Sequence, residues 1–190
     1  RAFTREKLWL LGGKSEMNRY DQLIAAVRAK NPKSILEVGT WNGTRATEML
    51  NICHDATYYG FDLFEDATRD TDSDEMNVKP HYFMDAVLDR LTGFDAHLFK
   101  GNTRDTLANF HEKVDFVWLD GGHSVETIRS DWENIKRCLN EDAWVFFDDY
   151  YTGLEIDTSK YGCNLIVKDL KHQILPAKDW VKGGGGVQMV

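Results

Sequence analysis

Three aspartates and one histidine in the second half of the chain have residue types and spacings suited to chemistry. Asp120 ends one apolar run, Asp148 and Asp149 end the next, and His123 stands three residues after Asp120. If the two runs are neighbouring parallel strands, the three carboxylates meet at one edge of a sheet and repel one another unless a cation lies between them. The pattern predicts a metal site, with Mg²⁺ as an ion that leaves room for substrate oxygens. The alternative is a polar strand edge with one aspartate capping a helix.

His123 would stand beside this metal, and an imidazole can take up a proton near neutral pH. It is therefore our candidate for the catalytic base, with Asp120 as the second candidate. A single histidine is more often structural, so this assignment depends on its acidic neighbours. The remaining histidines lack such neighbours and receive no role: His54, His81, His97, His111 and His172.

A second set of residues, in the first half of the chain, is typical of a nucleotide site. Residues 37–44 (EVGTWNGT) form a strand-to-helix turn in which Gly39 and Gly43 permit a tight backbone and close approach of a ligand. Asp62 ends the second apolar run, where a nucleotide-binding half-sheet holds the ribose hydroxyls with an acid. Residues 101–103 (GNT) follow the third run, at the same predicted edge of the sheet. Taken singly, each group could instead shape a turn or cap a helix.

Apolar runs alternate with amphipathic segments along the chain and predict the elements that hold these residues. Strands are expected at 34–39, 57–62, 96–101, 114–120 and 143–149, and helices at 16–30, 43–53, 82–91, 103–111 and 124–139. In the tail we expect a short helix at 164–170 and antiparallel strands from 173–175, 180–181 and 187–190, with 183–186 in the connecting loop. This order predicts an α/β fold: a Rossmann-like, mostly parallel seven-stranded sheet with helices on both faces and an antiparallel C-terminal strand.

The length suits one domain, because a chain of this size buries a sizeable core by itself. We assign residues 1–190 to that single domain. Within it, 1–30 is an N-terminal helical segment, 31–150 is the core that binds the cofactor, and 151–190 supplies C-terminal strands and substrate-side elements.

The composition restricts the partners. Lys and Arg total 23 and Asp and Glu total 31, so the net charge is −8, and an acidic chain without a basic stripe disfavours nucleic acid. No apolar run approaches the roughly 20 residues that span a bilayer, and a homo-oligomer is compatible with these features. Cys53, Cys138 and Cys163 lack metal-site spacing and predict reduced thiols in a cytoplasmic protein. The acid-rich stretch 65–75 lacks the spacing of a calcium loop and predicts a solvated or mobile loop over the site.

Together these motifs resemble a known family. The order ILEVGTWNGT, YYGFD, LFKGNT, VDFVWLDGGHS and WVFFDDYY is similar to that of class I S-adenosylmethionine methyltransferases. Within that superfamily it resembles the metal-dependent small-molecule O-methyltransferases of the catechol and macrocin types. The resemblance covers about residues 30–150, and DGGHS followed by FDDYY is its more specific part.

This resemblance implies S-adenosylmethionine as cofactor and assigns roles by position. The implied cofactor contacts are Glu37, Gly39, Thr40, Trp41, Gly43, Asp62, Leu63, Gly101, Asn102, Thr103 and Asp120. The implied Mg²⁺ ligands are Asp120, Asp148 and Asp149, and the implied base is His123, where catechol enzymes have a lysine. Catechol enzymes also have Asn in place of Asp149. Both departures favour glycoside or other aliphatic hydroxyls over catechols.

The expected reaction is displacement of the sulfonium methyl group by a hydroxyl of a small-molecule acceptor. Alignment supplies part of the rate, Mg²⁺ lowers the pKa of the hydroxyl, and His123 accepts its proton. One alternative keeps the cofactor without the metal, with Asp120 or His123 as the base. Another is a non-catalytic nucleotide-binding subunit of the same fold. A nicotinamide-dependent oxidoreductase is a third, disfavoured by the two-glycine turn and the aspartate pair.

Overall fold

The computed structural model describes residues 17–153, 155–175, 177, 180–181 and 185–190. Its helices are α1 Arg19–Lys30, α2 Thr44–Ile52, α3 Arg69–Asp74, α4 Met84–Arg90, α5 Thr103–Thr106, α6 Val125–Ile135 and α7 Asn164–Val167. Short 3₁₀ turns occupy Phe64–Asp66 and Lys136–Cys138. Its strands are β1 Ser34–Val38, β2 Thr57–Asp62, β3 Ala96–Lys100, β4 Val114–Leu119, β5 Leu139–Phe147, β6 Tyr150–Thr152, β7 Trp180–Val181 and β8 Gly185–Gln188.

Strands β1 to β5 form one parallel sheet in the order β3-β2-β1-β4-β5. Leu36 in the central strand β1 pairs with Tyr59 of β2 on one side and with Val117 of β4 on the other. The strand order reverses direction between β1 and β4, so the connections after these two strands diverge. This leaves a crevice at the carboxyl edge of the sheet, where such folds bind ligands. The predicted parallel α/β fold is confirmed.

Alternate residues of each strand point to opposite faces of the sheet, and helices cover both faces. Ile35 packs with residues of α1 and α2 on one face, whereas Leu36 packs with residues of α6 on the other. Both side chains are fully buried. The expected helices on both faces are therefore confirmed. One apolar core lies on each side of the sheet whose carboxyl edge carries the crevice.

Helix α1 begins and ends at capping residues. The Asn18 side chain accepts a hydrogen bond from the Asp21 backbone N–H (2.9 Å), and the Asp21 carboxylate accepts one from the Asn18 N–H (3.2 Å). At the other end, Asn31 has a left-handed φ of 49°, and Pro32 follows, which cannot continue a helix. The reciprocal N-terminal cap places Arg19 in the first turn of α1, facing the end of β5.

The C-terminal strands form a separate antiparallel sheet in the order β6-β8-β7. After β5 the backbone turns at Asp149, whose φ is +58°, and β6 then pairs with β8. Val190 connects the two sheets through backbone hydrogen bonds of 2.8 and 2.9 Å with Phe147. The predicted single sheet of seven strands is not confirmed. Because of the turn at Asp149, the described strands divide into five parallel and three antiparallel ones.

Some predicted boundaries are also corrected. Strand β5 begins at Leu139, where we expected a helix to end, and the helix expected at 103–111 is the single turn α5. Asp148 and Asp149 follow β5 instead of ending it. Of the expected loop 183–186, residues 183 and 184 lie outside the described residues, whereas 185 and 186 belong to strand β8.

The division into segments 1–30, 31–150 and 151–190 stays a prediction, and roughly the first half of the N-terminal segment lies outside the described residues. The three cysteines are unpaired and buried. In the part of the chain that the structure describes, no helix is both long and apolar enough to cross a membrane.

Candidate active site

A cavity of about 520 Å³ opens at the carboxyl edge of the sheet, within the size range of small-molecule sites. Most residues predicted to contact the cofactor line it: Glu37, Gly39, Thr40, Trp41, Asp62, Leu63, Asn102, Thr103 and Asp120. His123 lines it as well. Gly43 and Gly101 do not lie on its wall; they have positive φ of 76° and 129° and shape the turns beside it.

The turn after β1 requires glycine because two strand ends approach each other there. Gly39 has a φ of +91°, and a Cβ added to it would lie 2.0 Å from the carbonyl oxygen of Asp120. The Gly39 N–H donates to the Phe61 carbonyl at 2.8 Å. The backbones after β1, β2 and β4 therefore meet at this residue, which brings the predicted nucleotide turn and Asp120 to one cavity.

Asp62 is positioned by two backbone groups. Its Oδ2 accepts a hydrogen bond from the Trp41 N–H and its Oδ1 accepts one from the Phe64 N–H, both at 2.7 Å. Each carboxylate oxygen keeps lone-pair capacity, so the group can still accept from a vicinal diol in the cavity. These two acceptor oxygens fit the predicted contact with the ribose hydroxyls.

Glu37 is held by a buried tyrosine that the sequence did not single out. Tyr58 donates its hydroxyl proton to the Glu37 carboxylate, and Thr40 Oγ1 lies 3.3 Å from the Tyr58 oxygen. Burial raises the pKa of Glu37 to about 8, although the Tyr58 hydrogen bond opposes this shift. Glu37 thus forms one end of the cavity wall as a fixed group.

A buried acid that the sequence did not single out lies behind the cavity wall after β3. Asn102 caps α5, its side chain accepting from the Arg104 N–H at 3.0 Å. Behind it, Thr103 hydrogen-bonds to Asp131 of α6, and burial raises the pKa of Asp131 to about 7. The Asp131 side chain of α6 turns inward and is 2% exposed.

The three aspartates of the predicted metal site do lie close together. The carboxyl groups of Asp120 and Asp148 interact directly. Burial, then the charges of Asp120 and Asp149, raise the pKa of Asp148 well above its ordinary value. The pKa of Asp120 is raised less, to about 6, chiefly by burial.

The structure does not support a magnesium site at Asp120, Asp148 and Asp149. Among the described residues, no group of three or more His, Cys, Asp and Glu side chains could hold a metal ion. The physical reason is that Arg19 already neutralises this cluster, with Nη1 at 3.1 Å from Asp148 Oδ1. The repulsion that led us to predict a metal ion is relieved by this guanidinium.

The acid-rich stretch lies at the cavity and is largely exposed to solvent, as expected, but it folds into helical turns instead of an irregular loop. It contains the 3₁₀ turn Phe64–Asp66 and helix α3, and it ends in a contact with the start of α6. Glu75 Oε2 accepts from the Ser124 N–H at 2.6 Å, and Oε1 accepts from the Thr127 hydroxyl at 2.5 Å. A carboxylate at a helix N-terminus satisfies free N–H groups and favours the helix dipole.

The same contact orients His123. Its Nδ1 lies 2.6 Å from the Glu75 backbone carbonyl oxygen, which can only accept, so Nδ1 carries the proton. The other nitrogen, Nε2, lies 3.4 Å from Asp149 Oδ2. In the neutral imidazole, Nε2 is therefore the nitrogen that can take up a proton.

The parallel sheet, the glycine turn after β1 and the acid after β2 define the class I methyltransferase fold. Residues 36–150 match a family model described as a methyltransferase domain, and the chain belongs to that family. Family and fold together support S-adenosylmethionine as the methyl donor. The nicotinamide-dependent alternative has no support from these comparisons.

Solved structures confirm the fold. The chain resembles a Staphylococcus aureus protein described as a caffeoyl-CoA O-methyltransferase (17% identity, TM-score 0.52, covering 67% of this chain and 55% of that one). It also resembles the SAH-bound Podospora anserina methyltransferase PaMTH1 (14% identity, TM-score 0.58, covering 90% and 76%). A Clostridium thermocellum protein described as an rRNA methylase matches with 13% identity and TM-score 0.64 over 93% and 96%.

The chain spans little more than half of the Staphylococcus aureus protein. Among curated proteins, none matches this chain significantly. These comparisons establish the methyltransferase class, while the acceptor has to be argued from the site.

Proposed function

We propose that the chain transfers a methyl group from S-adenosylmethionine to a hydroxyl of a small-molecule acceptor, with His123 as the base. The observation that carries this proposal is the orientation of His123 on the cavity wall: Nδ1 is engaged by Glu75 and Nε2 faces Asp149. An imidazole fixed in one tautomer beside a carboxylate is suited to accept a proton during transfer.

S-adenosylmethionine supplies an electrophilic methyl group when bound. On the proposed assignment, Asp62 accepts hydrogen bonds from the ribose hydroxyls, and the turn at Gly39 lets the backbone approach the methionine part. Asn102 and Thr103 border the adenine. These residues hold the donor in one orientation, and alignment of donor and acceptor supplies a large part of the rate.

His123 removes the acceptor's hydroxyl proton at Nε2. The imidazolium that forms is paired with Asp149, whose Oδ2 lies 3.4 Å away. Asp149 is held at a backbone φ of +58° by the turn after β5, and its side chain is 11% exposed. The carboxylate thus stabilises the charged base at a fixed position. We derive no step through Mg²⁺, because Arg19 and not an open ligand set faces these carboxylates.

The cavity's charge supports a small acceptor over a nucleic acid. Asp72, Asp74 and Glu75 line it on the side of α3, and the chain carries a net charge of −8. Carboxylates repel the phosphate backbone on which nucleic-acid affinity depends. The rRNA-methylase neighbour nevertheless makes RNA the acceptor to test against, and a non-catalytic subunit predicts cofactor binding without turnover.

Two measurements test the proposal. Calorimetric titration with S-adenosylhomocysteine, with and without EDTA, tests the cofactor site, and we expect binding in both. Methyl transfer to a panel of hydroxylated small molecules and to rRNA then tests the acceptor class.

The base is tested with His123→Gln. We expect turnover to fall by roughly 10²–10⁴-fold with S-adenosylhomocysteine affinity within about twofold of wild type. His172→Gln, an exposed histidine remote from the cavity, is the matched control and should leave turnover unchanged. Full turnover in His123→Gln would remove its role as base, and turnover on rRNA alone would overturn the acceptor class.

A further inference from the structure

The carboxylates after β5 face a cation that belongs to this chain. Arg19 Nη1 lies 3.1 Å from Asp148 Oδ1 and 3.7 Å from Asp149 Oδ1. Arg19 and Asp148 are 129 positions apart in sequence, so the contact exists only because α1 packs on the sheet. The Arg19 side chain is 18% exposed and that of Asp148 is 0% exposed. This is a buried ion pair, and breaking such a pair leaves an uncompensated charge.

Arg19 is held in its position from its own helix. The cap at Asn18 fixes the first turn of α1, and Arg19 Nη2 donates to the Tyr20 hydroxyl at 3.1 Å. The guanidinium carbon lies 5.0 Å from the centre of the Tyr20 ring, and that ring packs edge-on against Trp118 at 5.9 Å. A guanidinium fixed in this way loses little freedom when it pairs with the carboxylates.

The same carboxylates are not arranged as an open metal site. A catalytic metal needs ligands beside a free position that the substrate can reach. Asp148 has no exposed side-chain surface, and neither Asp148 nor Asp149 is among the described residues that line the cavity. Of the three aspartates, Asp120 is on the cavity wall.

We propose that Arg19 is the built-in counter-ion of this cluster, so that the site works without a divalent cation, and that it positions Asp149 against His123. The part concerning His123 rests on the proposed function, whereas the counter-ion part does not. Three clustered carboxylates require a cation, and here a side chain of α1 supplies the charge that a bound metal ion would otherwise supply.

The test measures cation binding and stability in addition to activity. Mn²⁺ binding is followed by electron paramagnetic resonance and thermal unfolding is recorded with Mg²⁺ and with EDTA, on wild type, Arg19→Gln and Arg28→Gln. Arg28 is the matched control, since it is an exposed arginine on the same helix. Arg19→Lys is added because it keeps the charge and remains informative if Arg19→Gln fails to fold.

We expect wild type and Arg28→Gln to bind no Mn²⁺ and to unfold at the same temperature in Mg²⁺ and in EDTA. Arg19→Gln should unfold roughly 10 °C lower and should gain Mn²⁺ binding that a second change, Asp148→Asn, removes. Arg19→Lys should unfold between the two and bind no Mn²⁺.

Saturable Mn²⁺ binding by wild type that Asp148→Asn abolishes would overturn the proposal. An unfolding temperature of Arg19→Gln equal to that of Arg28→Gln would overturn it as well. Both results are independent of turnover, so they separate failure of the counter-ion from failure of the proposed function. For the positioning part, turnover should fall in Arg19→Gln and recover in part in Arg19→Lys at unchanged S-adenosylhomocysteine affinity.

Discussion

The two ends of the cavity are built by different kinds of contact. At the end formed by β1 and β2, backbone groups and glycine turns hold the predicted donor-binding residues, as when the Trp41 N–H binds Asp62 at 2.7 Å. Beside the other end, which α1 and α3 border, charged side chains from distant segments meet, including those of the turn after β5. Arg19 joins Asp148 across 129 positions, and Glu75 joins Ser124 across 49.

This difference has consequences for function. A backbone cradle depends little on the identity of side chains, so it can bind the same part of a ligand while the sequence varies. Side-chain contacts between distant segments can be altered one residue at a time, which suits the acceptor end of an enzyme. We therefore expect substitutions at the first end to affect donor binding and substitutions at the second to affect turnover.

The largest effect is expected for Gly39→Ala. The new Cβ would lie 2.0 Å from the Asp120 carbonyl oxygen at a φ of +91°, so the strand ends must separate. We expect a loss of about 3 kcal/mol in the free energy of unfolding and loss of S-adenosylhomocysteine binding. Urea unfolding and calorimetric titration measure the two effects.

Gly93→Ala is the control for backbone strain alone. Gly93 has a similar φ of +96°, but a Cβ there meets nothing within 4 Å. This variant should lose only about 1 kcal/mol and bind S-adenosylhomocysteine normally. Equal losses of unfolding free energy in Gly39→Ala and Gly93→Ala would contradict this. They would show that the close approach of the chain ends after β1 and β4 does not determine the stability of this end of the cavity.

An intermediate effect is expected for Glu75→Ala at the second end. The carboxylate accepts from the N–H and hydroxyl of Ser124 and from Thr127, and loss of a helix cap of this kind costs about 1–2 kcal/mol. We expect faster hydrogen exchange in residues 69–82. Turnover should fall roughly 10–100-fold, because a loosened segment no longer holds the backbone carbonyl of residue 75 against His123 Nδ1.

Glu126→Ala tests whether loss of any acid near the start of α6 has this effect. Glu126 is 78% exposed, and it pairs with Arg104 instead of the acid-rich stretch. Its removal should leave exchange in residues 69–82 unchanged. Unchanged hydrogen exchange in residues 69–82 of Glu75→Ala as well would mean that other contacts hold these residues in place. It would contradict our account of the second end of the cavity.

A pH dependence of stability is expected from Asp131. Burial raises the pKa of this carboxyl from 3.8 to about 7, so between these values the folded state binds a proton that the unfolded state releases. Stability from this group is therefore complete below about pH 4 and is lost as pH rises through 7, by up to about 1.4 kcal/mol per pH unit. Urea unfolding between pH 5 and 8 should show Asp131→Asn gaining on wild type as pH increases.

Asp105→Asn, an exposed site on the neighbouring turn, should show no such trend. A stability difference between wild type and Asp131→Asn that stays constant with pH would mean that Asp131 titrates alike in the folded and unfolded states.

The fold was predictable in large part because its signals are local. Apolar runs ended by glycine and aspartate marked all five parallel strands, and Asn31-Pro32 marked the end of α1. The prediction of seven strands in one sheet was not confirmed. The chain leaves the parallel sheet at the turn of Asp149, and an aspartate at this position does not by itself predict the positive φ that this turn has. The short span of α5 was missed for a similar reason, since helical spacing does not fix length.

The sequence by itself determined the methyltransferase sheet and the donor end of the site, since each residue there acts through its own backbone turn or strand end. Only the tertiary structure decided what faces Asp148 and Asp149. In the sequence, Asp120, Asp148 and Asp149 end neighbouring predicted strands with no cationic side chain beside them, and this pattern predicts a metal ion. Once folded, they meet Arg19, because packing of α1 brings a charge from the other end of the chain, and electrostatic pairing depends on distance in space and not along the chain.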